Sequence, residues 1–539
     1  MFINISFDAR YIFCKRRVIG WGGSIGKGEA IVTPAVLPEV IDFFKGLGDR
    51  VDVIETHISM VFLTGDRAFK IKKPVKFPYL DYSTLDLRKA LCEEELRINR
   101  RTAPSLYLGV RSITREENGS IVFDGAGEIL DWAVEMAQFD PAGQFDQISP
   151  DAPIERELME RLAQSIALFH RDAEVRSDKG GFEGLNFIVE NNAECLEAWG
   201  KALFEPTLIA ALNEQSRIEI RRIAEVLERR KANRRVRHCH GDLHLRNICL
   251  VEGEPVLFDA IEFSDDISCI DVLYDLAFLL MDLDFRGRRR EASLVFNRYM
   301  DIAGDVRGLG CFPLMMSLRA AIRAHVGASA LDASPEEAWD PVAVAEAQAY
   351  LTSALAYLQS EPPRLVAMGG LSGSGKSRLA RKLAPLIFRA PGALVLRTDA
   401  IRKRLVGKLP LERLDKEAYT PSMSDKTYDT LYENALAALK AGHTVIADAV
   451  FARSGERQAI EAVAHEAGVP FQGLWVDAPF EVRFERVSKR KKNVSDANGE
   501  VAKRQENYDL GEMAWAQVDS AGEREQTVAN ALEALGINH

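Results

Sequence analysis

The sequence predicts an α+β region followed by an α/β region built on a parallel sheet. Three observations carry this. Two short apolar runs flank Gly65-Asp66 as an antiparallel pair would, and helical patterns follow them. A loop running from His240 through Asp242 and Leu243 to Asn247 leads into the apolar run Pro255–Phe258, which ends on Asp259. Further on, Gly370-Leu371-Ser372-Gly373-Ser374-Gly375-Lys376-Ser377 stands between a buried-type strand and a helix, and strand–helix repeats continue after it. At 539 residues the chain exceeds one ordinary core, and length alone suggests roughly three or four domain-sized units.

Composition narrows the class. Hydrophobic residues at 47% and charged residues at 28% describe a globular protein. With 80 acidic against 69 basic residues the net charge is -11, which argues against nucleic acid as a general partner. Seven cysteines without a CxxC pair point to reduced thiols and a cytoplasmic location. No apolar run approaches the ~20 residues of a membrane span, and the N-terminus has no signal-peptide pattern. His238, Cys239, His240 and His244 read as polar loop residues around an acid, because no second Cys/His pair completes a zinc site.

Taken in order, residues 1–34 read as an irregular N-terminal extension. Its stretch Gly20–Gly28 lacks the P-loop spacing, since Lys27 is followed by Gly28 and Glu29 with no hydroxyl. A region from 35 to 361 follows. It starts with a helix near Pro38–Phe44, then strands Met60–Thr64 and Arg67–Lys72, with Lys70 and Lys72 on one strand face because side chains alternate. A helix spans about Thr84–Arg101. The strand Asp131–Ala137 leads into Asp140-Pro141-Ala142-Gly143, where a hinge between two lobes would fall at about residue 137. Helices are expected over about Pro153–Arg171 and Pro206–Arg230, and a closing one over Ala338–Gln359. Ser360-Glu361-Pro362-Pro363 marks a break before a region 362–539.

Two stretches carry chemistry. His240-x-Asp242-Leu243-x-x-x-Asn247 with Asp259 fits the catalytic loop of phosphoryl-transfer enzymes, in which the first acid takes the proton of the attacking hydroxyl and the amide and later acid hold Mg²⁺. Lys70, in Ala68-Phe69-Lys70-Ile71, is the expected phosphate lysine in preference to Lys72, and Glu94 its expected helix partner, ahead of Glu95. In the second region Gly370, Ser372, Gly373, Ser374 and Gly375 supply a loop whose backbone N–H groups curl around phosphate. Lys376 reaches the outer phosphates and Ser377 faces Mg²⁺. Strands end on Asp399 after Leu394–Arg397 and on Asp448 after Thr444–Ala447, the latter a Walker-B-like Mg²⁺ acid. Arg483, Arg486 and Arg490 share one helix face.

His240 to Asn247, Asp259 and Ile270–Ala277 resemble the aminoglycoside-phosphotransferase family, which shares its two-lobed fold with protein kinases. Glu55–Ser59 and Phe69–Pro74 look like a bacterial branch of it. The resemblance implies a two-lobed protein-kinase-like domain, with Asp242 as general base, Asn247 and Asp259 as magnesium ligands, Lys70 on ATP phosphates, and Asp275 supporting the loop. Two departures stand out: Asp259 is followed by Ala260-Ile261-Glu262 in place of Phe-Gly, and no glycine-rich nucleotide loop precedes Lys70. The second region is similar to P-loop small-substrate kinases of the gluconate-kinase, zeta-toxin and polynucleotide-kinase kind. That resemblance implies a parallel-sheet P-loop domain with Asp399 as base, Arg402 as substrate anchor, and Arg486 or Arg490 as lid charge. Asp448 stays open between water-mediated Mg²⁺ binding and the base role. The expected activity is ATP- and Mg²⁺-dependent phosphate transfer by both regions to hydroxyls of small molecules. The rival expectations are a regulator in which one ATP site is a switch, and a nucleic-acid end kinase in the second region.

Overall fold

The computed structural model describes residues 36–56, 58–77, 80–149, 152–332, 335–489, 494–495 and 499–537. The expected extension over residues 1–34 lies outside them, as does Arg490. By contacts the chain forms two compact units. The first comprises Met1–Pro153, Asp172–Asp282 and Leu314–Leu358, and the second Ile154–Arg171, Leu283–Pro313 and Gln359–His539.

The first unit begins with an antiparallel sheet of β1 (Asp52–Glu55), β2 (Ser59–Leu63), β3 (Arg67–Lys72), β4 (Tyr107–Arg115), β5 (Ile121–Phe123) and β6 (Glu128–Ala137), in the order β1-β2-β3-β6-β4-β5. The β2–β3 turn closes at Gly65, whose φ of 103° suits a residue without Cβ. Period-two alternation sends Phe69 and Ile71 of β3 into a core with Val40, Phe44, Phe62, Ile113 and Ala133. Phe44 and Phe62 stack there with centroids 4.6 Å apart. Lys70 and Lys72 take the other face of β3, where the helix Leu85–Asn99 packs. Thr84 starts that helix by accepting from the Leu87 N–H. Cys92 of this helix joins Tyr107, Val134 and Cys249 in a second core, which ties the sheet to the segment carrying Asn247 and Asp259.

That segment is held by two short antiparallel pairs, β7 (Val236–His238) with β10 (Cys269–Asp271), and β8 (Ile248–Val251) with β9 (Glu254–Leu257). The helix Val272–Phe285 then runs beneath the loop 239–247. Its residues 272–283 are buried all round, as are most of those on the helix Phe312–Asp332.

The second unit is a parallel sheet of β11 (Leu365–Gly369), β12 (Leu394–Arg397), β13 (Val445–Asp448), β14 (Phe471–Asp477) and β15 (Ala516–Asp519), in the order β12-β13-β11-β14-β15. The expected mixed architecture, an α+β kinase-like fold and then a parallel α/β P-loop fold, is the one found. The strand β15 carried too little apolar pattern to be anticipated. β11, β12 and β13 read as continuous apolar runs because both faces of a parallel sheet are covered. The helix Arg289–Ala303 covers the free edge of β12. Asn297 accepts from the Val395 N–H at 2.7 Å and donates to the Ala393 carbonyl at 3.1 Å, so the edge presents fewer unpaired groups. The same helix brings Asp301 to Arg397 as a buried ion pair, and Arg298 to Glu160 at 2.8 Å.

Candidate active sites

In the first unit, Gly241 turns the loop at φ 82°, where an added Cβ would come 3.3 Å from Ser268 and Ile261. Asp275 receives the His240 and Gly241 N–H groups at 3.2 and 2.9 Å, and Asp282 receives that of Leu245 at 3.0 Å. Helix carboxylates thus fix a loop that has no ladder of its own. Asp242 is buried. Its Oδ2 accepts from Asn247 Nδ2 at 2.9 Å and lies 3.2 Å from His244 Nε2, while its Oδ1 has no partner. Burial pushes this carboxyl up, but His244, His240 and Arg319 together outweigh it and the pKa falls below the ordinary aspartate value. Burial holds His240 below the usual histidine range, with its Nε2 2.9 Å from the Phe258 carbonyl oxygen.

Lys70 reaches the same point from the sheet. Its ammonium donates to Asp259 Oδ1 and Glu95 Oε1, both at 2.8 Å. Asp259 sits at φ 60°, an uncommon conformation for a residue with Cβ, and its N–H donates to the Tyr107 hydroxyl at 3.2 Å. The helix partner of Lys70 is therefore Glu95 and not Glu94. A helix turns about 100° per residue, so only one of two adjacent glutamates can face the sheet. Glu94 faces outward and pairs with Arg97 at 2.5 Å. Glu94→Ala should change stability by less than about 0.5 kcal/mol in denaturant unfolding, the size of an exposed i,i+3 pair.

Sequence reasoning set Lys72 aside, yet it is buried in the same cluster. Its ammonium touches Glu95 Oε2 at 2.7 Å, Glu262 Oε1 at 2.5 Å and the Tyr82 hydroxyl at 3.4 Å. Glu95 thus bridges two lysines, one oxygen to each. Burial pulls both lysines down, but the surrounding carboxylates outweigh it and hold both well above the ordinary lysine value. Burial likewise opposes ionisation of Glu95, yet the two lysines bring its pKa down to about 2.

In the second unit the P-loop joins β11 to the helix Lys376–Leu383. Gly373, at φ 90°, lies so close to the helix Phe480–Ser488 that a Cβ there would stand 2.4 Å from the Arg483 carbonyl oxygen. Arg486 of that helix donates to the Ser520 carbonyl at 2.6 Å, and its Nη1 is 3.7 Å from where a Gly375 Cβ would lie, so its charge borders the loop. Arg483 is buried beneath, bound to the Ala478 carbonyl and paired with Glu506. The Ser372 N–H donates to Gln505 Oε1 at 2.7 Å, a contact with no signature in the sequence.

Asp448 ends β13 opposite Met368 of β11 and Arg397 of β12. Burial raises its pKa, Lys376 and a hydrogen bond from Ser377 oppose that rise, and the nearby charge of Asp399 adds to it. Its Oδ1 and the Ser374 hydroxyl are buried without partners. Arg402 is also buried, donating to the Ala418 carbonyl at 3.0 Å with its guanidinium 5.1 Å from the Tyr419 ring centre. Arg381 lies on the P-loop helix, and burial with Arg397 and Arg156 nearby lowers it to about 10.

Residues 112–308 match the Phosphotransferase enzyme family, and residues 365–508 match the AAA domain family that includes P-loop kinases. The uncharacterized protein Rv2004c of Mycobacterium tuberculosis is 30% identical over 507 residues, 89% of this chain and 94% of that protein. An uncharacterized protein of Mycobacterium bovis matches to the same extent. The chain belongs to their family. With a phosphotransferase domain and a P-loop domain of kinase type, this chain is a kinase-type enzyme. An adenylyl-sulfate kinase of Myxococcus xanthus is 32% identical over 117 residues, 22% of this chain and 59% of that protein. Among solved structures, a choline/ethanolamine kinase family protein from Mesorhizobium loti aligns over 58% of this chain and 90% of its own, at 12% identity and TM-score 0.36. The Mycobacterium tuberculosis APS kinase CysC aligns over 33% of this chain and 99% of its own, at 24% identity and TM-score 0.25. No helix of the described residues is long and apolar enough to cross a membrane.

Proposed function

We propose that both units are ATP- and Mg²⁺-dependent phosphotransferases, each passing the γ-phosphate to a hydroxyl of a small molecule. The observation that carries this reading is the convergence on Lys70. Residues 25 and 189 positions away in sequence, Glu95 and Asp259, meet its ammonium at 2.8 Å. A cation fixed by two carboxylates beside the 240–247 loop supports this reading, because phosphoryl transfer asks a protein for preorganised positive charge.

The donor sets fit a hard divalent cation, since they are oxygens of carboxylates, an amide and a hydroxyl. Asn247 and Asp259 would hold it in the first unit, and Ser377 with Asp448 in the second, where Asp448 Oδ1 is buried without a donor. The cation would neutralise phosphate charge. Asp242, kept ionised by His244, is suited to take the acceptor proton. In the second unit Asp399 is the base, Arg402 the acceptor anchor, and Arg486 the lid charge.

The test is transfer of label from γ-³²P-ATP to a metabolite panel by wild type and Asp242→Ala. Asp242→Ala should remove one set of labelled products by at least about 10²-fold and leave the other. If wild type labels nothing while ATP alters its affinity for another protein, the switch reading replaces this one. Labelling of 5′-hydroxyl oligonucleotides in preference to metabolites would make the second unit an end kinase.

A further inference from the structure

Arg319, on the helix Phe312–Asp332, is 1% exposed and makes no ion pair among the described residues. Its Nε donates to the Tyr274 carbonyl at 3.3 Å. The guanidinium lies 3.9 Å from the Tyr274 ring centre and 4.7 Å from that of Phe278. Its Nη2 has no acceptor, and the neighbouring Tyr274 hydroxyl has no partner either.

The path from this group to the base is short. Phe278 also meets the His244 ring, centroids 5.1 Å apart, and His244 Nε2 is 3.2 Å from Asp242. The charge of Arg319 is felt at Asp242, where it helps hold the carboxyl down. Along this chain of contacts three buried polar atoms lack partners: Asp242 Oδ1, the Tyr274 hydroxyl and Arg319 Nη2.

A buried guanidinium normally finds a carboxylate, because desolvating an unpaired charge is costly. Two aromatic faces offset part of that cost. They hold the plane of the fork but satisfy none of its in-plane N–H groups, which match the oxygens of a carboxylate or phosphate. We propose that Arg319 and the Tyr274 hydroxyl form an acceptor subsite that takes an oxyanion group of the first unit's hydroxyl-bearing substrate. The proposal rests on the reading of Asp242 as the base of that unit. It makes a polycationic acceptor a poor one, since such a molecule would meet a fixed positive charge.

The experiment uses the full chain carrying Lys376→Ala, so that label transfer reports the first unit. Acceptors are compared in pairs: D-glycerate against glycerol, gluconate against glucose, with choline as the cationic control. The acidic member should be preferred at least about 10-fold in kcat/KM, with the difference in KM. Arg319→Met should erase the preference and Arg319→Lys retain part of it. Preference for the neutral or cationic acceptors, or an equal loss on all acceptors in Arg319→Met, overturns the proposal. Direct binding supplies the second readout. D-glycerate, gluconate and glycerol 3-phosphate are each tested for a rise in unfolding temperature, in the Lys376→Ala chain with and without Arg319→Met. A rise that depends on Arg319 supports the subsite; no rise with any of the three, or one that survives Arg319→Met, overturns it. Arg319→Met should itself fold with an unfolding temperature no lower than the parent, because it removes an unpaired buried charge. Asp242→Asn separates the two readings: transfer that persists there sinks the base assignment and leaves the binding result standing.

Discussion

Lys376→Ala should abolish the label transfer that survives in Asp242→Ala, lowering it by roughly 10²–10³-fold, the loss typical when one preorganised charge on a developing anion is removed. Lys376 is the first residue of its helix, set by Gly375 at φ 93°, so its ammonium and the helix N-terminus act at the same place. It also bears on its neighbours. Burial raises Asp448, and Lys376 is the largest influence opposing that rise. Without it, the carboxyl of Asp448 rises further. A variant with full transfer at ordinary Mg²⁺ would mean that Lys376 does not face the transferred phosphate.

What the sequence made legible was local. The P-loop and the 240–247 loop each compress their chemistry into about one turn of chain, so spacing alone places the residues. Alternation on β3 likewise put Lys70 and Lys72 on one face. The choice between Glu94 and Glu95 needed more. The buried side of their helix is Arg88, Cys92, Glu95, Ile98 and Asn99, a stripe at helical spacing in which three of the five are polar. A search for apolar periodicity passes over such a stripe, although its spacing was there to be read. Arg319 was hidden for the opposite reason: its helix is buried nearly all round, so no face is marked as special. Residues 154–171 and 283–313 pack with the second unit through pairs such as Asp301 with Arg397. Those contacts join positions 96 apart and leave no local pattern. Of the arginines on this helix face, helical spacing put Arg483 and Arg486 together, but it could not say that one lies buried against Ala478 while the other borders Gly375.

Lys72→Met should destabilise the first unit by about 3–5 kcal/mol, the usual cost of removing one partner from a buried ion pair. The methionine nearly fills the space, so the loss is electrostatic: Glu262 and one oxygen of Glu95 remain buried without their cation. Lys70→Met should differ in kind. Lys70 is more exposed and points at Asp259, so its loss falls chiefly on transfer, with a smaller effect on folding. Adding Glu262→Gln to Lys72→Met should recover part of the lost stability, since the stranded charge goes with it, and a double-mutant cycle in denaturant measures the coupling. The acid side gives a second check. Glu95 has its folded pKa lowered from 4.5 to about 2, so its contribution is complete above about 4.5 and is lost as pH falls toward about 2. Removing Lys72 takes away one of the two cations responsible and leaves burial, which acts in the other direction. The folded pKa of Glu95 then rises toward its unfolded value, and there is less left to lose on acidification. The stability gap between wild type and Lys72→Met should therefore narrow as pH drops from about 4.5 toward 2. A gap that stayed constant across that range would mean that Glu95 keeps its low pKa without Lys72, held by Lys70.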